Sequence, residues 1–194
     1  PWAPFMNVKG IESYMTEIKA IFDHYGALSV GESSGVTSQE APAWTDVETG
    51  FMTMIIEWEH NRRTPDNQGD VAGLIAVLKR WQEDLSQQGW NALYLENHDI
   101  PRIISAFGDA SQACAKAFAV AYFLLRGTPL IFQGQEIGMT NGLFTSADQI
   151  DSRSVKLTYQ DLLAQGLSEK EALAQATQWS RDHARLPMQW DASP

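Results

Sequence analysis

Glu32 stands in the stretch Val30-Gly31-Glu32-Ser33-Ser34-Gly35, an acid set between glycines at the end of a short apolar run. Glycine on either side permits a tight exit from a strand and close approach of a ligand. A carboxyl group so placed can face that ligand, although an acid after a strand is more often a solvated turn residue. Asn97-His98-Asp99, followed by Pro101-Arg102, is the denser cluster. Three adjacent hydrogen-bonding side chains follow an apolar run where a neutral loop would serve. Pro101 stiffens the turn, as a preorganised site requires. An Asx-type turn with an ion pair between Asp99 and Arg102 is the competing reading.

Other polar residues are weaker candidates. Gln133 and Glu136, in Gln133-Gly134-Gln135-Glu136, are able to touch a ligand, but buried hydrogen bonding that closes a barrel is the favoured reading. His60 reads as structural or rim-lining and His24 as a helix-end residue. The spacing of zinc ligands is missing. Asp66, Asn67 and Asp70 form an acidic loop without the register, glycine and final glutamate of an EF-hand. No metal and no cofactor is expected.

The elements that must position these residues alternate along the chain. Ile11, Tyr14, Met15, Ile18, Ile21, Phe22 and Tyr25 recur at helical spacing and stop at Gly26. Val71, Leu74, Ile75, Leu78, Trp81 and Leu85 make a second helical stripe, and residues 112–126 a helix apolar nearly all round, hence expected to be buried. Ser168 with Glu171 is a capping box opening a helix to about Trp179. Between the helices lie four apolar runs, 27–31, 51–58, 90–95 and 129–132, each ending in acids, amides or histidine. Strand, polar turn and helix in repetition predict an α/β fold with a parallel sheet whose strands are buried on both faces. Polar residues gathered at the strands' C-terminal ends fit a closed barrel, where the active site forms at that end. A doubly wound sheet also binds ligands at its strand ends, but neither glycine-rich phosphate motif is present. Four strands amount to half a barrel. No repeat or linker divides it, so residues 1–194 are expected to form a single partial domain.

Composition narrows the partners. The 194 residues carry a formal charge of −10 and are 44% hydrophobic, with seven Trp, five Tyr and eight Phe, which disfavours disorder. An acidic chain is a poor non-specific binder of nucleic acid or anionic membranes. The single cysteine, Cys114, excludes an internal disulfide and fits a reducing, cytoplasmic setting. No run reaches the 18 or so apolar residues of a membrane span, and no signal peptide is visible. Both ends look cut, as in a piece of a longer protein.

Four segments together carry a specific resemblance: VGESSGV (30–36), YLENHDIPRIISAFG (94–108), GTPLIFQGQEIGMTN (127–141) and SRDHARLPMQWD (180–191). In this order they resemble the second half, about strands 5–8, of the catalytic (β/α)8 barrel of glycoside hydrolase family 13. The nearest branch is the oligo-1,6-glucosidase, dextran glucosidase and trehalose-6-phosphate hydrolase group of α-glucosidases. The resemblance implies that Glu32 is the general acid/base and that Asp99 is the carboxylate that stabilises the transition state. It implies that His98 binds a sugar hydroxyl, that Arg102 organises the sugar site, and that residues 133–136 are chiefly architectural. It also implies that the nucleophilic Asp, the N-terminal half-barrel and the loop domain precede residue 1, and that a C-terminal β domain is absent.

Retaining glycosidases set two carboxyl groups about 5–5.5 Å apart, one of them the nucleophile. The expected function is therefore that of a piece of a retaining α-glucosidase in carbohydrate metabolism, acting on oligosaccharides and inactive alone. The alternatives are a sucrose isomerase or glucosyltransferase of the same superfamily, or a catalytically silent scaffold relative. Ile100, Ala106 and Leu186 stand where relatives often have Gln, Arg and Thr, which leaves substrate preference open. Unpaired strand edges predict self-association.

Overall fold

The computed structural model describes residues 6–61 and 69–191. They fall into two compact units interleaved in sequence. One contains residues 6–61, Asp70–Tyr94 and Val120–Leu130; the other contains Gly69, Leu95–Ala119 and residues 131–191.

In the first unit, helix α1 (Ile11–Tyr25) ends where expected. Gly26 takes the left-handed conformation (φ 58°), and its N–H and that of Ala27 donate to the Asp23 and Phe22 carbonyls. These two bonds satisfy carbonyls that a helix end otherwise leaves orphaned. Strand β1 (Val30–Glu32), short helix α2 (Ala41–Thr45) and strand β2 (Met54–Ile56) follow. Helix α3 (Val71–Asp84) opens on Asp70, whose carboxylate accepts the Gly73 N–H at 2.8 Å. Strands β3 (Ala92–Leu93) and β4 (Thr128–Pro129) complete the unit.

All four apolar runs thus contribute strands, and all pairings are parallel. Val30 registers with Met54, Ile55 bridges to Asn91, and Ala92 registers with Thr128. The spatial order is the chain order, as in a barrel wound in one direction; a doubly wound sheet would reverse. The strands are short. In β4 the paired residues lie at the start of the run rather than across 129–132, because Pro129 has no N–H to donate and only Leu130 N–H to Leu93 carbonyl (2.7 Å) extends the ladder.

Met15, Val36, Ala41, Trp44, Ile55, Trp81 and Leu85 form the core, with the Phe51 ring edge-on to Trp44. Ile55 and Leu85 are sealed from water, and each such side chain contributes about 1.5–3 kcal/mol. At the N-terminal ends of the strands Arg126 ties the layers together. Its guanidinium donates to the Leu85 and Gly89 carbonyls and lies 4.8 Å from the Trp90 ring centre. The Trp90 indole N–H in turn donates to Thr128 Oγ1 at 2.8 Å.

Helix α5 (Gln112–Phe123) departs from expectation. Only Tyr122 is buried on it, and Val120 and Phe123 are exposed, as is Leu124 just beyond its end. Five of its twelve residues are alanines. Alanine raises the apolar score of a helix while gaining little by leaving water, so the pattern overstated the drive to bury. Burial on both faces of every strand is likewise incomplete, since Val30 is 43% exposed.

In the second unit, helix α4 (Ile103–Ala106) follows the Asn97–Arg102 loop, and helices α6 (Arg153–Ala164) and α7 (Glu169–Thr177) pack as a hairpin. The capping box at α7 is present: Glu171 N–H donates to Ser168 Oγ (3.3 Å) and Ser168 N–H to the Glu171 carboxylate (3.1 Å). The buried Asp182 carboxylate accepts the Asp151 and Ser152 N–H groups at 3.2 and 3.1 Å, tying the start of α6 to a 3-10 turn at Arg181–Arg185.

Candidate active site

Glu32 is the last residue of β1, and its side chain is exposed. The glycine before it is closely packed by side chains. A Cβ on Gly31 would lie 3.1 Å from Ser33 Oγ and 3.2 Å from Met52 Cγ. One strand over, Glu57 follows β2 and is buried with His60. Its Oε2 accepts the Glu59 N–H at 2.6 Å, its Oε1 pairs with His60 Nδ1, and the Tyr94 hydroxyl donates to its carbonyl at 2.7 Å. His60 stacks edge-on against Tyr94 at 4.7 Å, so of its two expected roles the structural one describes its surroundings. His24 sits in the last turn of α1. Asp70 is a helix cap, while Asp66 and Asn67 lie outside the described residues.

The second unit holds the Asn97–Arg102 loop. The Asx turn exists, with Asp99 N–H donating to Asn97 Oδ1 at 2.8 Å. The ion pair of that competing reading does not. Arg102 is fully buried and pairs with Glu96 at 2.9 Å, not with Asp99. The other Glu96 oxygen accepts Ile103 N–H at 2.9 Å. Arg102 also donates to the Gln133 carbonyl at 2.7 Å and lies 5.0 Å from the Phe132 ring centre, while Asn141 accepts its backbone N–H at 2.8 Å. One guanidinium therefore clamps the loop after β3 to the segment after β4. The Gln133 and Glu136 side chains are exposed, against the expected buried bonding; the segment's part-buried bonds include those to the Gln133 carbonyl and to Gln135, whose Oε1 accepts Phe132 N–H at 3.1 Å.

Asp99 keeps a third of its side chain exposed. Arg185 donates to its Oδ1 at 2.9 Å, Arg181 reaches the same oxygen at 3.5 Å, and His98 Nε2 lies 3.4 Å from Oδ2. Arg185 Nε also donates to the His98 carbonyl at 2.9 Å, which fixes the loop as well as the carboxylate. Two guanidiniums on one oxygen hold this carboxylate oriented and strengthen its hydrogen bonds. Sequence reasoning missed both arginines, and Glu96 with them. The available signal was an Arg pair four residues apart within SRDHARLPMQWD. His98 and Asp99 are thus brought together, Arg102 is set apart in the clamp, and Glu32 belongs to the other unit. Among the described residues no cluster of three or more His, Cys, Asp or Glu could hold a metal ion.

Comparison with known proteins decides the family. Residues 3–194 match the alpha-amylase catalytic domain. The chain belongs to that family. It is 39% identical over 97% of its length to probable oligo-1,6-glucosidase 3 of Bacillus subtilis, strain 168, of which it covers 35%. It is similar to the crystal structure of trehalose-6-phosphate hydrolase from Bacillus licheniformis, with a TM-score of 0.85 and 30% identity over 95% of this chain and 36% of that one. An isomaltulose synthase mutant from Erwinia rhapontici NX5 superposes with a TM-score of 0.79 and 30% identity over 96% of this chain and 36% of that one. The chain spans about a third of the length of the curated relatives it matches. Its parallel strands in chain order are consistent with part of that family's barrel.

Proposed function

We propose that this chain is strands 5–8 of the barrel of a retaining α-glucosidase, with residues 1–194 forming part of one catalytic domain. Its substrates are short α-glucosides, cleaved at the terminal bond. Glu32 delivers a proton to the glycosidic oxygen, Asp99 stabilises the oxocarbenium-like centre, and His98 grips a sugar hydroxyl. Arg102 acts as a positioning residue through the clamp. A single observation carries the reading: Asp99, on a loop stiffened by a buried ion pair, presents a part-exposed carboxylate oriented by Arg181 and Arg185. Such fixed polar groups are what stabilise charge developing in a transition state. The glucosidase assignment is further supported by similarity to oligo-1,6-glucosidases over nearly the whole chain. A lone half-buried Cys114 suits a cytoplasmic location.

The experiment is substitution in the full-length gene product. Glu32→Gln is expected to lower kcat on isomaltose by about 10²–10⁴-fold, the usual worth of a general acid; a loss below tenfold refutes its role. The 194-residue chain alone is expected to leave p-nitrophenyl α-glucoside uncleaved, because the nucleophile that the resemblance implies lies outside it. A second reading, a sucrose isomerase, is favoured by the isomaltulose and trehalulose synthases among the structural neighbours. Isomaltulose or trehalulose from sucrose would select it; glucose and fructose select hydrolysis.

A further inference from the structure

Two guanidiniums converge on one oxygen of Asp99, Arg185 at 2.9 Å and Arg181 at 3.5 Å. Their like charges repel each other, and both side chains are long, flexible and partly exposed. The convergence therefore depends on a backbone that is itself held in place. Arg181 and Arg185 are the two ends of a single 3-10 turn, and the three residues between them, Asp182, His183 and Ala184, are all buried. The turn thus has an outer pair that reaches Asp99 and an inner side that anchors it.

Asp182 is the anchor that reaches furthest. Its Oδ2 accepts the Asp151 and Ser152 N–H groups, and its own N–H donates to Ser180 Oγ at 3.0 Å. Those two N–H groups lie at the N-terminus of α6, a twelve-residue helix whose dipole favours a carboxylate there. Hydrogen bonds to an ionised acceptor are stronger than neutral ones, so the pin is stiff. We propose that Asp182 is a positioning residue for Asp99: it pins the Arg181–Arg185 turn to the start of α6 and so holds both guanidiniums on that carboxylate. The same turn grips the loop a second time, through Arg185 Nε and the His98 carbonyl, so a slack turn releases His98 as well. The inference rests on the proposed role of Asp99 in stabilising the transition state. Asp182 itself is sealed within the fold and acts only through the arginines.

The test is a kinetic cycle in the full-length protein on p-nitrophenyl α-glucoside, with thermal unfolding read alongside. Asp182→Ala removes the pin and is expected to lower kcat by about 10²-fold, the cost of a misplacement of about 1 Å, while KM changes less. Asp182→Asn keeps an accepting oxygen. Its other oxygen, Oδ1, has no partner among the described residues, so an amide nitrogen there breaks no bond and most of the lost kcat is expected to return. In an Arg181→Ala/Arg185→Ala background, Asp182→Ala is expected to cost less than about threefold more, because nothing is left to position. Should Asp182→Ala not fold, Ser152→Pro takes its place in the cycle; it deletes one donor at a φ of −62°, an angle that proline adopts. Losses that multiply in the arginine-free background overturn the inference and leave the role of Asp99 standing. So does a kcat unchanged by loss of the pin while the arginine variant is impaired. A kcat unaffected by removing both arginines overturns the inference and the steering of Asp99 together.

Discussion

Arg102 and Asp99 show how two charged residues three apart in sequence acquire opposite tasks. Asp99 meets solvent and is steered by Arg181 and Arg185; Arg102 is sealed and bound to Glu96. Removing one partner of a buried pair leaves the other charge stranded, at a cost of about 3–5 kcal/mol. Arg102→Met is therefore expected to lower unfolding free energy by about that amount in urea titration, and a change below 1 kcal/mol contradicts the clamp. His183 gives a prediction in pH. Burial pushes it below its ordinary 6.5, partly offset by the Thr177 and Gly142 backbone and the charge on Asp182. Its folded value lies below its unfolded one, so the unfolded chain binds the proton more readily. The stability it contributes is complete above the unfolded value and is lost as pH falls through the folded one. Melting temperature should thus drop as pH is lowered from about 6.5, the unperturbed value. His183→Gln should flatten that part of the curve.

Among the elements, those whose boundaries depend on local chemistry were readable directly. Gly26 closes α1 because a left-handed residue is needed there, and Ser168 with Glu171 opens α7 because both groups lie within one turn. Ser168→Ala is expected to destabilise the full-length protein by about 1 kcal/mol, measured by thermal or chemical unfolding. Helix α5 was misread, since its apolar pattern is largely alanine. Helix α6 was not anticipated, because its start is held by Asp182, about 30 residues downstream, which no local pattern announces.

For the molecule as a whole, the parallel strands run in chain order and the described units leave large apolar side chains in water. Tyr14, Ile21 and Tyr25 on α1 and Val120 and Phe123 on α5 are among them, and Leu124 follows directly. Large apolar side chains left in water favour association where they adjoin, as Tyr14, Ile21 and Tyr25 do at helical spacing along α1. The isolated 194-residue chain is accordingly expected to elute as a dimer or larger species with light-scattering detection; a monodisperse monomer at tens of micromolar contradicts this.

Reading residues alone, one learns which short stretches become strands and helices and which acids end them, because those outcomes depend on neighbours within a turn or two. The polar ends of the four apolar runs pointed to Glu32, His98 and Asp99 on that basis. The pairing of charges was beyond such reading. Whether Arg102 meets Glu96 or Asp99, and whether Arg185 reaches across 86 positions to Asp99, depends on where distant loops are brought by packing. Burial follows the same rule: a side chain leaves water only if some other element arrives to cover it, and that arrival is a property of the folded chain.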